Sequence, residues 1–255
     1  MSKETTRTLF LCSLLLLVAN WGLGFLDYFL SGTTYYVIKT GLLALIVFLA
    51  IHRPLRIKVP LQPKVGLLEQ LRVNWLSLVY LFLISIPLLL LGLTKNQHYL
   101  PTALTVALGA GFIEEYLCRG ILLQVALKDG IHSYKQVLQA VFVSSLIFGL
   151  AHLVNLRVQD LDVTLYQVYY ATAMGVYFAA VVLRTGSLWW TIFIHFMIDL
   201  GTILATAGVE STSKPNGIAI GIWLVVMLIG LILIRPKQVQ RLMATQTLAN
   251  SEKIN

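Results

Sequence analysis

The stretch GFIEEYLCRG, residues 111–120, sets Glu114, Glu115 and Arg119 inside a run that otherwise reads as an apolar helix from Pro101 to Leu127. Ionisable groups at such a place are costly and need a partner or a task. The rest of the chain makes the placement sharper. Of its 255 residues 58% are hydrophobic and only 12% charged, well outside the balance of a soluble domain. Apolar runs recur eight times, at 9–30, 35–51, 75–93, 103–127, 137–154, 163–183, 188–205 and 217–234. Most approach the length of about 20 residues that a helix needs to cross roughly 30 Å of hydrocarbon. Barrel strands would instead give segments of about ten residues with alternating polarity. The expected fold is all-α, a polytopic integral membrane bundle of about eight transmembrane helices.

The chain divides by content into three parts of one membrane domain. Residues 1–100 hold three spans and a basic loop at 52–74, residues 101–205 hold the unusual polar groups, and residues 206–255 hold a last span and a polar tail. The tail is expected to be partly disordered. Within the loop, VGLLEQLRVNWL has the spacing of a short interfacial helix, although an ordinary basic loop fits equally well. The basic, apolar N-terminus continues through Trp21 and Phe25 without a convincing cleavage site, which favours a retained first helix over a secretory signal. Cys12 and Cys118 both fall in apolar runs and suggest packing, not a disulfide framework.

Lysine and arginine mark the cytoplasmic side. With eight spans and an internal N-terminus, fourteen basic residues fall on the inner side: Lys3, Arg7, Arg53, Arg56, Lys58, Lys64, Arg72, Lys128, Lys135, Arg184, Arg235, Lys237, Arg241 and Lys253. Lys39, Lys95, Arg157 and Lys214 fall outside, and Arg119 lies within a helix. Both termini are therefore expected in the cytoplasm of a bacterial plasma membrane. The net charge of +8 is mostly this topological signal, with some attraction to lipid headgroups, and makes no case for nucleic acid.

Beyond the opening motif, polar groups at membrane depth are His152 in IFGLAHLVN and His195 with Asp199 in TIFIHFMIDLG. At about 1.5 Å per residue, Glu114 lies roughly 21 Å from Lys128, His152 roughly 26 Å from Lys135 and His195 roughly 17 Å from Arg184. Ordinary tilts bring all three near mid-membrane, and one shared cavity explains this more simply than three separate burials. Glu115 and Arg119 are four residues apart and can pair, while Glu114 points about 100° away and is the freer carboxylate. Gly111 shares their stripe, where a missing side chain would admit a neighbouring helix. His195 and Asp199 are also four apart, so the carboxyl group could hold the imidazole in one tautomer. A carboxylate and a histidine that activate water, with a second histidine donating to an oxyanion, form a hydrolase constellation. Lys39, His98 and His132 are expected to snorkel or face water.

Quieter readings stand beside this one. The Glu115 and Arg119 pair can fix helix register without catalysis. A non-catalytic immunity or scaffold protein would use the cluster for packing, and a proton-linked transporter would use it as a relay. No H-E-x-x-H motif is present and no cofactor is expected, although Glu114, His152 and His195 could together supply three metal ligands.

EEYLCR, FGLAH and HFMID resemble the Glu-Glu-x-x-x-Arg, Phe-x-x-x-His and final His-x-x-x-Asn motifs of the CAAX-protease and bacteriocin-processing (CPBP, or Abi) family of intramembrane proteases. The resemblance covers roughly residues 101–205 and implies an eight-helix glutamic endopeptidase. It implies that Glu114 and His152 activate water, that His195 with Asp199 forms the oxyanion site, and that Glu115 and Arg119 support them. The partners implied are a peptide or protein substrate within the lipid bilayer, prenylated or a precursor. Asp199 departs from the asparagine of the prenyl-protease branch, because an ionised carboxylate only accepts hydrogen bonds and would repel an oxyanion.

Overall fold

A computed structural model describes the backbone of residues 1–251 and the side chains of residues 1–246. Among the described residues the regular structure is helical, and ten helices are distinguished here in chain order. The first, α1, runs over Lys3–Leu23 and ends in a 3₁₀ turn at Gly24–Tyr28. Next, α2 covers Gly32–Leu55, the short α3 Leu67–Val73 and α4 Trp75–Lys95. The motif helix, α5, is continuous over 100–126. It is followed by α6 (Tyr134–Arg157), α7 (Leu161–Thr185), α8 (Trp189–Thr206), α9 (Gly217–Leu233) and α10 (Pro236–Ser251).

All eight apolar runs thus form helices, with ends a few residues from those expected. Six of the ten are long and apolar enough to cross a membrane: α1, α2, α4, α6, α7 and α8. A seventh is counted if α9 and Pro236–Gln246, bent by 43°, are one span. The motif helix α5 lies outside that set although its 27 positions are ample in length, because Glu114, Glu115 and Arg119 depress its hydropathy. One expectation is corrected, and one left open is decided. The C-terminal segment, read as polar and partly disordered, is helical over Pro236–Ser251, while residues 252–255, Lys253 included, lie outside the described residues. In the basic loop, the short helix is present as α3, and its glutamate ties it to the bundle through Glu69 Oε1 to Arg184 Nη2 at 2.5 Å.

Local chemistry accounts for several helix ends. Ser133 and Asn216 accept from the backbone N–H groups of Gln136 and Ala219 at the starts of α6 and α9. Pro101 stands in the first turn of α5, where its missing N–H costs nothing. At the end of α7, Gly186 takes φ +73, the left-handed region that glycine occupies without steric cost.

Hydrogen bonds and ion pairs collect the loops into two ends. At one, Lys128 meets Glu4 at 3.1 Å, Arg184 donates to the Leu233 carbonyl at 3.0 Å, and the Leu188 N–H donates to the Pro60 carbonyl at 2.9 Å. At the other, Arg157 meets Asp27 at 3.3 Å, Thr33 bonds Thr102 at 2.7 Å, and Asn96 donates to the Leu204 carbonyl at 2.9 Å. The first end carries the basic loops, the start of α1 and α10.

Inside α5 the backbone is π-helical at Ala110–Glu114 and again at Tyr116–Leu122. Such bulges are uncommon and concentrate at functional sites. Gly111 does what its stripe implied: a methyl group there would lie 2.9 Å from the Phe196 nitrogen and 3.0 Å from the Ile192 carbonyl oxygen, both backbone atoms of α8. Gly111→Ala is therefore expected to push α5 from α8 and to destabilise the protein by about 1–3 kcal/mol, as overpacking does. A thermal-unfolding comparison in detergent would check this, and an unchanged midpoint would mean that the two helices are not held at this contact.

Candidate active site

The motif side chains converge on one cavity of about 520 Å³, lined by Glu114 from α5, His152 from α6 and His195 and Asp199 from α8. Glu115 and Arg119 stand behind them, both fully buried. Their pair is real and short, with Arg119 Nη1 donating to Glu115 Oε1 at 2.6 Å. The same oxygen takes a second bond, from His195 Nδ1 at 3.1 Å. A carboxylate paired to a guanidinium is an acceptor only, so Nδ1 carries the proton of this bond. That leaves Nε2 to face the cavity, 3.5 Å from Asp199 Oδ2 and 4.0 Å from Glu114 Oε2.

This geometry reassigns one role. Asp199 was expected to hold the imidazole tautomer; Glu115, a helix away, makes the Nδ1 bond, and Asp199 lies on the opposite, cavity side of the ring. Spacing within α8 exposed the Asp199 contact but could not show a contact across helices. Glu114 stays out of the Arg119 pair, as its angular offset implied, and its side chain is 37% exposed while that of His195 is 4% exposed.

His152 follows the same pattern as His195. Its Nδ1 is 3.0 Å from the Phe148 carbonyl oxygen, which can only accept, so Nδ1 donates and Nε2 is left for the cavity. It sits where α6 passes into a 3₁₀ turn, His152–Arg157, and so tops the regular helix.

Phe148 is the residue that sequence reading quoted without assigning. Its ring stands edge-on to both imidazoles, with centroids 5.2 Å from His152 and 5.8 Å from His195. The Arg119 guanidinium lies 4.3 Å from its centroid and 5.7 Å from that of Phe178. Arg119 Nε and Nη2 have no hydrogen-bond partner among the described residues, so these aromatic faces are what the buried cation meets on those sides. Gly175 makes the space, since a methyl group there would come within 3.0 Å of Arg119 Nη2. The phenylalanine four before the histidine was the available signal.

Lys39, expected to snorkel or face water, lies half-buried on the cavity wall, with Tyr36, Tyr80 and Tyr170 also lining the space. Cys12 and Cys118 are buried free thiols. Among the described residues, no group of three or more histidine, cysteine, aspartate or glutamate side chains is arranged to hold a metal ion.

Fold and site together define a polytopic all-α membrane protein with a carboxylate and histidine cavity inside the bundle. Residues 96–201 match the family model described as Rce1-like, type II CAAX prenyl endopeptidase, which agrees with the resemblance carried by the three motifs and supports a CAAX-type intramembrane protease. No curated protein and no solved structure matches the chain.

Proposed function

We propose that the chain is an intramembrane glutamic endopeptidase that hydrolyses a peptide bond of a membrane-associated substrate, with Glu114 as general base. The observation that carries the reading is the division of labour between neighbouring carboxylates: Glu115 is consumed by Arg119 and His195, while Glu114 stays clear of Arg119 and faces the cavity, 4.0 Å from the same histidine.

A water between Glu114 and His152 would give one proton to the carboxylate and offer the other to His152 Nε2, whose lone pair is free because Nδ1 donates to Phe148. Its oxygen bonds to the carbonyl carbon, and the carbonyl π electrons move onto oxygen. His195 Nε2–H would stabilise that oxyanion. Because Nδ1–H is committed to Glu115, donation from Nε2 requires the ring to be an imidazolium. Asp199 at 3.5 Å favours that cation. Collapse breaks the carbon–nitrogen bond, and Glu114 returns its proton to the leaving amine.

This gives Asp199 a supporting role in place of direct contact with the oxyanion. Asp199→Asn is therefore expected to retain activity, with kcat/KM within about tenfold, or ~1.4 kcal/mol, of wild type. A loss comparable to that of a Glu114 variant would instead put Asp199 in the proton path.

Single-turnover cleavage in ¹⁸O-labelled water tests the mechanism. One labelled oxygen should enter the new carboxylate of the product and none the Glu114 side chain. Label in Glu114 would mean a covalent acyl-glutamate and would overturn the general-base reading.

A further inference from the structure

The two ends of the bundle differ in charge and in packing, and the cavity respects the difference. The end tied by Lys128 to Glu4, Arg184 to Glu69 and Leu188 to Pro60 carries the loops 52–74, 127–133 and 184–188, the start of α1 and, through Gln246 against Ile131, α10. Among the described residues its basic residues are thirteen of the fourteen named above, Lys253 excepted, against four toward the other end. Asymmetry of this size in short loops flanking helices sets orientation, with the basic side cytoplasmic.

The cavity wall comes from the other end. Above the level of Glu114 it is built from Asn20 of α1, Tyr36 of α2, Asn155 and Gln167 around the α6–α7 turn, and the connection 208–213 between α8 and α9. None of its lining residues belongs to loops 52–74, 127–133 or 184–188. That end is filled: Ile51, Leu122, Leu123, Leu188 and Ile234 are each at most 1% exposed. A peptide arriving through it would have to displace this packing and bring unpaired backbone N–H and C=O groups through apolar surroundings that cannot satisfy them. At the opposite end the lining includes Glu210, Ser211 and Gln167, polar side chains that can meet a peptide backbone.

We propose that the site is entered from the extracytoplasmic face, so that its substrates are membrane-anchored peptides whose scissile segment is presented on that side, not lipidated proteins presenting a C-terminus from the cytoplasm. The direction of access rests on loop charge and cavity lining; the identification of what enters as a substrate rests on the endopeptidase reading.

Cysteine accessibility in the full-length protein in its own membrane separates the two. Single cysteines are placed at Ser213, exposed on the rim, and at Lys135, exposed at the basic end, in a background where buried Cys12 and Cys118 are changed to alanine. A membrane-impermeant maleimide should label Ser213→Cys in intact cells and Lys135→Cys only after permeabilisation. The reverse pattern, or labelling of both in intact cells, would overturn the proposal. As a second readout, full labelling of Thr212→Cys with a bulky maleimide should abolish product formation, whereas labelling Lys135→Cys should leave it at the unlabelled level. Undiminished product from labelled Thr212→Cys would mean that this rim is not the entrance. If the unlabelled protein formed no product at all, the endopeptidase reading would fail while the labelling pattern still decided the direction of access.

Discussion

Glu114→Gln is expected to abolish peptide cleavage while the protein accumulates in the membrane at wild-type level. The amide keeps the size of the side chain but cannot take a proton from water, and loss of a general base costs about 10²- to 10⁴-fold. Little stability should be lost with it. Glu114 Oε2 has no hydrogen-bond partner among the described residues, and the nearest charged group, His195, is 4.0 Å away. Glutamine keeps the size and polarity of the side chain, so only the 4.0 Å contact to His195 is weakened. Activity and abundance measured on the same membranes check both halves. A variant that disappears from the membrane would point to a packing role, as a scaffold or immunity protein predicts.

Arg119→Ala should behave in the opposite way, failing first in stability. Arg119 and Glu115 are both fully buried, and removing Arg119 leaves the Glu115 carboxylate with His195 Nδ1 alone beside it, at about the 3–5 kcal/mol of a broken buried pair. Arg119→Lys should rescue poorly, because an ammonium lacks the flat guanidinium that lies over Phe148 at 4.3 Å. Replacing the pair together, Glu115→Leu with Arg119→Met, should cost less stability than either single change, since it removes the buried charges at once. That double variant should still be inactive, because His195 loses the acceptor that fixes Nδ1. Thermal unfolding of the singles and the double provides the measurement. A double variant as unstable as the sum of the singles would mean that the two residues act independently.

The helices were legible because membrane thickness imposes one length on every apolar run, and all eight runs form helices at the expected places. The polar tail was misread because low hydropathy says whether a segment suits a membrane, not whether Pro236–Ser251 can form a helix. Within the site, contacts along one helix were readable from spacing: Glu115 with Arg119, His195 with Asp199, and the close approach allowed by Gly111. Contacts between helices were not. Nothing in a helical period shows that Glu115 on α5 reaches His195 on α8, or that the Phe148 ring separates two imidazoles. Lys39, read from its place near a helix end as snorkelling or facing water, could not be assigned to the cavity from sequence, because only the packing of α2 beside α5 brings it onto that wall.

The most direct measurement is a comparison of the peptides released from cells carrying either the wild-type protein or Glu114→Gln at equal abundance. A peptide with a defined new terminus should appear with wild type and be absent with the variant, which would also give the substrate and the cleavage site. The same peptide released in equal amount by both would contradict Glu114 as the catalytic base and leave the cavity to serve another purpose.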